Sequence, residues 1–127
     1  MTKLVPPVTF QNVLVWVKPD PEKRNKYIVR TEPEVPVITQ QDTIVNYQIV
    51  DTDGLPIVFT GMTVKPKHNG QLSPATVSVD GRQLTFSDIN TVKMTLNIRL
   101  LFDREDEGAF SHDPQMENDP TAGSSQH

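Results

Sequence analysis

The sequence predicts an all-β protein, and three observations support this. Apolar and polar residues alternate from Val92 to Phe102, which is typical of a strand with one dry and one solvated face. About seven short segments of strand-like composition are separated by turn-forming residues roughly every 8–12 positions. The chain has 11 prolines, a composition that disfavours helices. Together these patterns favour an antiparallel β-sandwich, immunoglobulin-like in the loose sense, with a small β-barrel as the alternative.

The alternating stretch Val92–Phe102 is the longest predicted strand, and we expect the other strands to pack on its apolar face. The alternation predicts burial of Met94, Leu96, Ile98 and Leu100, and exposure of Lys93, Thr95 and Arg99.

The N-terminal part predicts edge and central strands. Two prolines in Val5–Phe10 place that extended segment at a sheet edge or across the sheet, because proline cannot donate to a strand ladder. The segment Asn12–Val17 is apolar at both alternating sets of positions, which predicts a strand covered on both faces with Trp16 as a core anchor. We expect short strands at Tyr27–Arg30 and, at an edge, Val37–Thr39.

Two hairpins are predicted further along the chain. The first joins Asp42–Val50 to Pro56–Val64 through the turn Asp51–Gly54. Gly61 in its second strand indicates either a bulge or a close approach by another backbone. The second joins segments 76–79 and 82–86 through Asp80-Gly81, a pair that favours a two-residue type I′ turn. In that register one face carries Val77, Val79, Leu84 and Phe86.

The last segment has a different composition. Residues 103–127 contain seven acids and one base, net −6, whereas residues 1–102 are net +2. Acids, Gly, Pro, Ser and Gln dominate it, which is typical of disorder. The sequence therefore predicts a sandwich domain over residues 1–102 and a mobile acidic tail over residues 103–127.

The composition narrows the chemistry and the compartment. A chain of 127 residues is long enough for one domain with a core, and zero cysteines exclude disulfides and thiolate chemistry. The N-terminal residues lack the apolar run of a signal peptide, and no span suits a membrane, so we expect a cytoplasmic protein.

No residue constellation points to catalysis, a cofactor or a metal. Asp51-x-Asp53-Gly54 resembles the start of a calcium loop, but its next ligand position is Leu55, so a turn is the better interpretation. The histidines at 68, 112 and 127 lack metal-ligand spacing, and no nucleophile-elbow motif is present. We therefore predict no catalytic, cofactor-binding or metal-binding residues.

The bases between Lys18 and Arg30 surround the aromatic Tyr27, a composition that can bind single-stranded nucleic acid. Glu22, Glu32 and Glu34 weaken the field of these bases, and the whole chain is net −4. We expect no nucleic-acid partner.

The dipeptides Asp20-Pro21 and Glu32-Pro33 bracket a segment that follows the apolar stretch Val13–Val17. This arrangement resembles the DP-EP family of small bacterial proteins, over residues from about Val8 to Phe102. The resemblance implies a small all-β protein of unassigned function and transfers no site residues.

Two function classes stay open from the sequence. The first is a non-catalytic protein-binding or assembly module. Its partner would be another protein, or a second copy of the chain in a homo-oligomer. The partner would add to a sheet edge or bind the acidic tail. The alternative is a small-ligand-binding or enzymatic domain with a pocket near residues 51–54 and 65–70. The absence of a chemical motif favours the first class. We therefore expect a protein that is not an enzyme.

Overall fold

A computed structural model describes residues 9–123. These residues form two open sheets stacked as a sandwich, which confirms the predicted all-β class and the sandwich over the closed barrel. The first sheet, sheet A, has the strand order β2-β1-β4-β7-β6. Its strands are β1 (Thr9–Pro19), β2 (Tyr27–Glu32), β4 (Thr43–Asp51), β6 (Thr76–Val77) and β7 (Gln83–Asp88).

Sheet B has the order β3-β10-β8-β5, and β9 pairs with β8 beside β10. Its strands are β3 (Val37–Ile38), β5 (Ile57–Lys65), β8 (Met94–Arg104), β9 (Gly108–His112) and β10 (Gln115–Asn118). Most pairings are antiparallel, but β1 runs parallel to β4 and β3 runs parallel to β10. Both sheets are therefore mixed, whereas the sequence predicted antiparallel sheets.

The core lies between the inner faces of the two sheets, as the alternation in β8 predicts. Its fully buried members include Val15 and Tyr47 from sheet A and Leu96 and Phe102 from sheet B. Each comes from the apolar set of an alternating strand, since alternate side chains point to opposite faces. Burying these side chains is the main favourable contribution to folding.

The longest predicted strand is confirmed with shifted bounds. Strand β8 spans Met94–Arg104 and buries Leu96, Ile98 and Leu100, whereas Met94 is only partly buried. Val92 lies before the strand and is exposed. The short edge strand predicted near Val37 is also confirmed.

Trp16 is not the core anchor that the sequence predicted. Strand β1 buries Val13, Val15 and Val17, so Trp16 points to the outer face of sheet A and is only partly buried. No strand or helix within residues 9–123 covers that face, and the prediction of a strand covered on both sides is wrong. Residues 1–8, which include most of the predicted segment Val5–Phe10, lie outside the described residues.

Strands β4 and β5 do not form the predicted hairpin. Strand β4 pairs with β1 and β7 in sheet A, and β5 pairs with β8 in sheet B. The Asp53-Gly54 turn therefore carries the chain from one sheet to the other, because the apolar faces of both strands need to meet across the core. The bulge predicted at Gly61 is confirmed by a shift in register between Phe59 and Gly61.

The second hairpin is present as β6 and β7, but its turn is not type I′. Gly81 has a φ of 74°, whereas Asp80 does not adopt a positive φ. The Asp80 carboxylate accepts hydrogen bonds from the Ser78 hydroxyl (2.6 Å) and the Arg82 amide (3.0 Å) instead. Val77 and Val79 are exposed and do not join the core, because the turn extends beyond the sheet.

The predicted mobile tail is wrong for the described residues. Strand β9 pairs with the C-terminal half of β8, and β10 pairs with its N-terminal half. Met116 of β10 is 0% exposed and belongs to the core. The predicted domain boundary at residue 103 therefore falls inside a continuous sheet. The polar residues of β9 and β10 face solvent, and a few apolar ones complete the core.

The described chain ends in a short helix, α1 (Pro120–Gly123). Among the described residues, no helix has both the length and the apolar character needed to cross a membrane.

Candidate functional site

The turn at Asp51–Gly54 is held by an ion pair rather than arranged as a cation site. Lys18 Nζ lies 3.2 Å from Asp51 Oδ2 and 3.5 Å from Asp53 Oδ1. A hydrogen bond from the Asp53 amide, with Lys18 beside it, lowers the pKa of the Asp51 carboxyl, and Asp51 in turn raises the pKa of Lys18. Both central residues, Asp53 and Gly54, have positive φ, which is the geometry of a type I′ turn.

Beside this turn, Trp16 and Arg30 form a cross-strand pair on the outer face of sheet A. They are opposite each other in the β1–β2 register, and the Arg30 guanidinium lies 3.9 Å from the centre of a Trp16 ring. A shallow groove of about 520 Å³ runs from this pair past Ile28 to Lys18 and Asp51. This groove is one place where the small-ligand alternative would put a ligand.

The loop at residues 65–70 borders a second open groove, of about 550 Å³. The Asn69 side chain accepts hydrogen bonds from the amides of Gln71 (2.8 Å) and Leu72 (3.0 Å), so it shapes the loop. His68 is exposed on this loop. Neither loop predicted from the sequence brings together a nucleophile with a base, or a set of metal ligands.

A third groove, of about 540 Å³, separates β2 at the edge of sheet A from the junction of β9 and β10 in sheet B. Its walls include Val29, Thr31 and Val35 on one side and His112 and Gln115 on the other. Ile28 at its margin is 52% exposed. We name this feature the β2–β9 groove.

The backbone of β2 presents unpaired groups to this groove. The Asp20 amide donates to the Lys26 carbonyl, so the even-numbered residues of β2 bond to β1. The amides and carbonyls of Val29 and Thr31 therefore point away from β1. Among the described residues these groups have no backbone partner.

Strand β9 reaches the opposite wall of the groove at His112. The Ile98 amide donates to the Pro114 carbonyl, which indicates that His112 and Phe110 bond to β8. The backbone groups of Ala109 and Ser111 therefore point away from β8. The unpaired edge of β2 thus lines the groove, and the unpaired edge of β9 adjoins its other wall.

A cluster of side chains joins the start of β2 to β9. The rings of Tyr27 and Phe110 stack with centroids 4.3 Å apart. The Tyr27 hydroxyl donates to Glu107 at 2.7 Å, and Arg104 donates to the Tyr27 oxygen and, at two positions, to Asp106. Burial of Tyr27, followed by its bond to Glu107, raises the pKa of its hydroxyl, so the tyrosine stays neutral.

The histidines lie far apart in sequence and in different surroundings. His112 lines the β2–β9 groove, where burial lowers the pKa of its imidazole, and His127 lies outside the described residues. No group of three or more His, Cys, Asp or Glu side chains within residues 9–123 is arranged to hold a metal ion.

The two dipeptides lie on either side of the segment that leads into and forms β2. Asp20-Pro21 directly follows β1, and the Asp20 carboxylate accepts a hydrogen bond from the Glu22 amide (2.9 Å), which shapes the loop before β2. Glu32 is the last residue of β2, and its bond to Pro33 is cis. The dipeptides therefore bracket this loop and β2, the strand that forms one wall of the β2–β9 groove.

A sequence profile of the DP-EP family matches residues 11–120, which is most of the chain. The chain belongs to the DP-EP family. This match includes strands β9 and β10, which the resemblance seen in the sequence did not reach. A comparison with curated proteins finds no similar sequence.

Sequence reasoning missed the β2–β9 groove of this DP-EP protein. The groove depends on which strands lie at the edges of the two sheets, and β9 was assigned to a tail. Its one local signal was the Glu32-Pro33 dipeptide, which marks the end of β2 but does not indicate the neighbour of that strand.

Proposed function

We propose that this protein is a non-catalytic module that binds an extended segment of another protein in the β2–β9 groove. The observation that carries the proposal is the unpaired edge of β2, whose residues Val29 and Thr31 line the groove. An added strand gains backbone hydrogen bonds from such an edge, and its alternate side chains give specificity. The proposal refines the sheet-edge binding expected from the sequence. We also propose that the protein is cytoplasmic.

The charge around the groove favours a basic and apolar partner segment. The acids of the predicted tail lie on and around β9 and β10, and residues 103–119 carry seven acids against Arg104. The groove itself is lined by the acids Glu34 and Asp113 and by one base, Arg30, whose guanidinium lies on the Trp16 ring. The exposed side chains of Ile28 and Val35 border it. An extended segment that alternates apolar residues with Lys or Arg matches both properties.

The test uses a library of random dodecapeptides displayed on phage and selected on the full-length protein. We expect enrichment of peptides that alternate apolar and basic residues. Val29→Pro removes an outward amide without removing a β1–β2 ladder bond and should weaken binding about tenfold or more, equivalent to about 1.4 kcal/mol. Val77→Pro is the control, because Val77 lies on β6 at the other edge of sheet A.

Since Val29 is partly buried, a second pair of variants guards against a folding defect. Ile28→Lys places a positive charge at the groove and should weaken binding, whereas Ile89→Lys changes a similarly exposed isoleucine elsewhere and should not. Peptides that bind all four variants equally would contradict the proposal.

The small-ligand alternative is favoured by the Trp16–Arg30 pair, whose ring and guanidinium are both accessible from the groove beside Asp51. Loss of binding in Trp16→Ala with full binding in Val29→Pro would assign the site to that groove instead, because Val29 does not line it. No arrangement of side chains described here supports catalysis.

A further inference from the structure

A buried polar cluster lies where the end of β7 meets the end of β10. It consists of Asp88, Asn90 and Asn118, which are 0%, 0% and 1% exposed. Asn90 has a φ of 53°, a left-handed conformation that asparagine tolerates better than most residues. The cluster is separate from the β2–β9 groove and has no place in the proposed binding of a peptide.

The nitrogen atoms of the cluster have partners that determine its orientation. The Asp88 Oδ1 atom accepts from Asn118 Nδ2 and from the Asn90 backbone amide, both at 2.9 Å. The Asn90 Nδ2 atom donates to the carbonyls of Ile38 (3.0 Å) and Gln40 (3.1 Å). Each amide nitrogen therefore faces acceptors, and exchanging nitrogen and oxygen in either asparagine would bring oxygens together.

Three buried oxygen atoms have no donor among the described residues. They are Asp88 Oδ2, Asn90 Oδ1 and Asn118 Oδ1. Buried polar atoms almost always have a partner, so three from one cluster indicate a missing group. The Asp88 carboxyl also forms none of the ion pairs found among the described residues, and burial raises its pKa.

We propose that Asp88, Asn90 and Asn118 bind a sodium ion. Hard cations prefer carboxylate and carbonyl oxygens, which are the unpartnered atoms here. One cation of charge +1 neutralises the single carboxylate, whereas calcium would leave an excess positive charge in a site closed to solvent. Zinc prefers nitrogen and sulfur ligands, which this cluster does not offer.

The test measures thermal unfolding of the full-length protein in sodium chloride and in choline chloride at equal ionic strength. A ligand that binds only the native state raises the midpoint with its concentration. We expect a midpoint higher in sodium, rising by about 3–5 °C for each tenfold increase above the dissociation constant. Line broadening of the ²³Na NMR signal by the protein, relative to a protein-free sample, provides a readout that needs no variant.

Asp88→Asn keeps the shape of the side chain and removes its charge, so it should abolish the difference between the two salts. Asp103→Asn is the matched control on β8 and should retain the difference. Equal midpoints in sodium and choline for the unmodified protein would overturn the proposal and indicate a protonated Asp88. Stabilisation by micromolar calcium, or a sodium effect that persists in Asp88→Asn, would also overturn it.

Discussion

Met116→Ala tests whether the acidic C-terminal segment is part of the core. Met116 is fully buried and lies opposite Leu96 in the β10–β8 register. The substitution removes three heavy-atom groups, worth roughly 0.8 kcal/mol each in transfer free energy, and leaves a cavity. We expect the free energy of unfolding to fall by roughly 3 kcal/mol, within the range of about 2–5 kcal/mol for such truncations.

A loss of roughly 3 kcal/mol corresponds to a fall in melting temperature of about 10 °C for a domain of this size. Circular dichroism during heating measures it, and urea titration gives the free energy independently. Gln115→Ala is the control, because Gln115 is the exposed neighbour on the same strand. If Met116→Ala melts within about 2 °C of Gln115→Ala, the segment is not a structural strand and the reasoning is refuted.

Two further predictions concern single buried or partly buried groups. The Tyr47 hydroxyl is buried and has no partner among the described residues. Tyr47→Phe should therefore leave the free energy of unfolding unchanged or raise it by up to about 1–3 kcal/mol. A marked fall in the free energy of unfolding, measured by urea titration, would show that the hydroxyl is bonded. Burial lowers the pKa of His112 in the folded protein, so below neutral pH the unfolded chain binds more protons than the folded one. Stability is therefore lost as the pH falls through the pKa of about 6.5 that histidine has in the unfolded chain. His112→Gln should therefore lose less stability than the unmodified protein between about pH 7.5 and 5.5, and parallel pH profiles would contradict this.

Local patterns in the sequence were sufficient wherever one property of a strand decided the outcome. The alternation around Leu96 predicted a strand and its buried face, since side chains of period two separate into a dry and a wet set. Gly61 predicted a bulge for a similarly local reason. The Asp20-Pro21 and Glu32-Pro33 dipeptides indicated the family to which the chain belongs.

The tertiary structure alone decided which strands are neighbours and which faces are covered. Trp16 lies in an apolar stretch, yet its exposure depends on whether another layer covers the outer face of sheet A, and no described element does. Met116 lies among acids, yet β8 offers it an unpaired edge and the core has room for its side chain. The same holds for Asp88 and Asn118, which are distant in sequence and meet only because β7 and β10 end at the same place. Periodicity reports the two faces of one strand, whereas burial and binding sites arise from contacts between segments that the sequence keeps far apart.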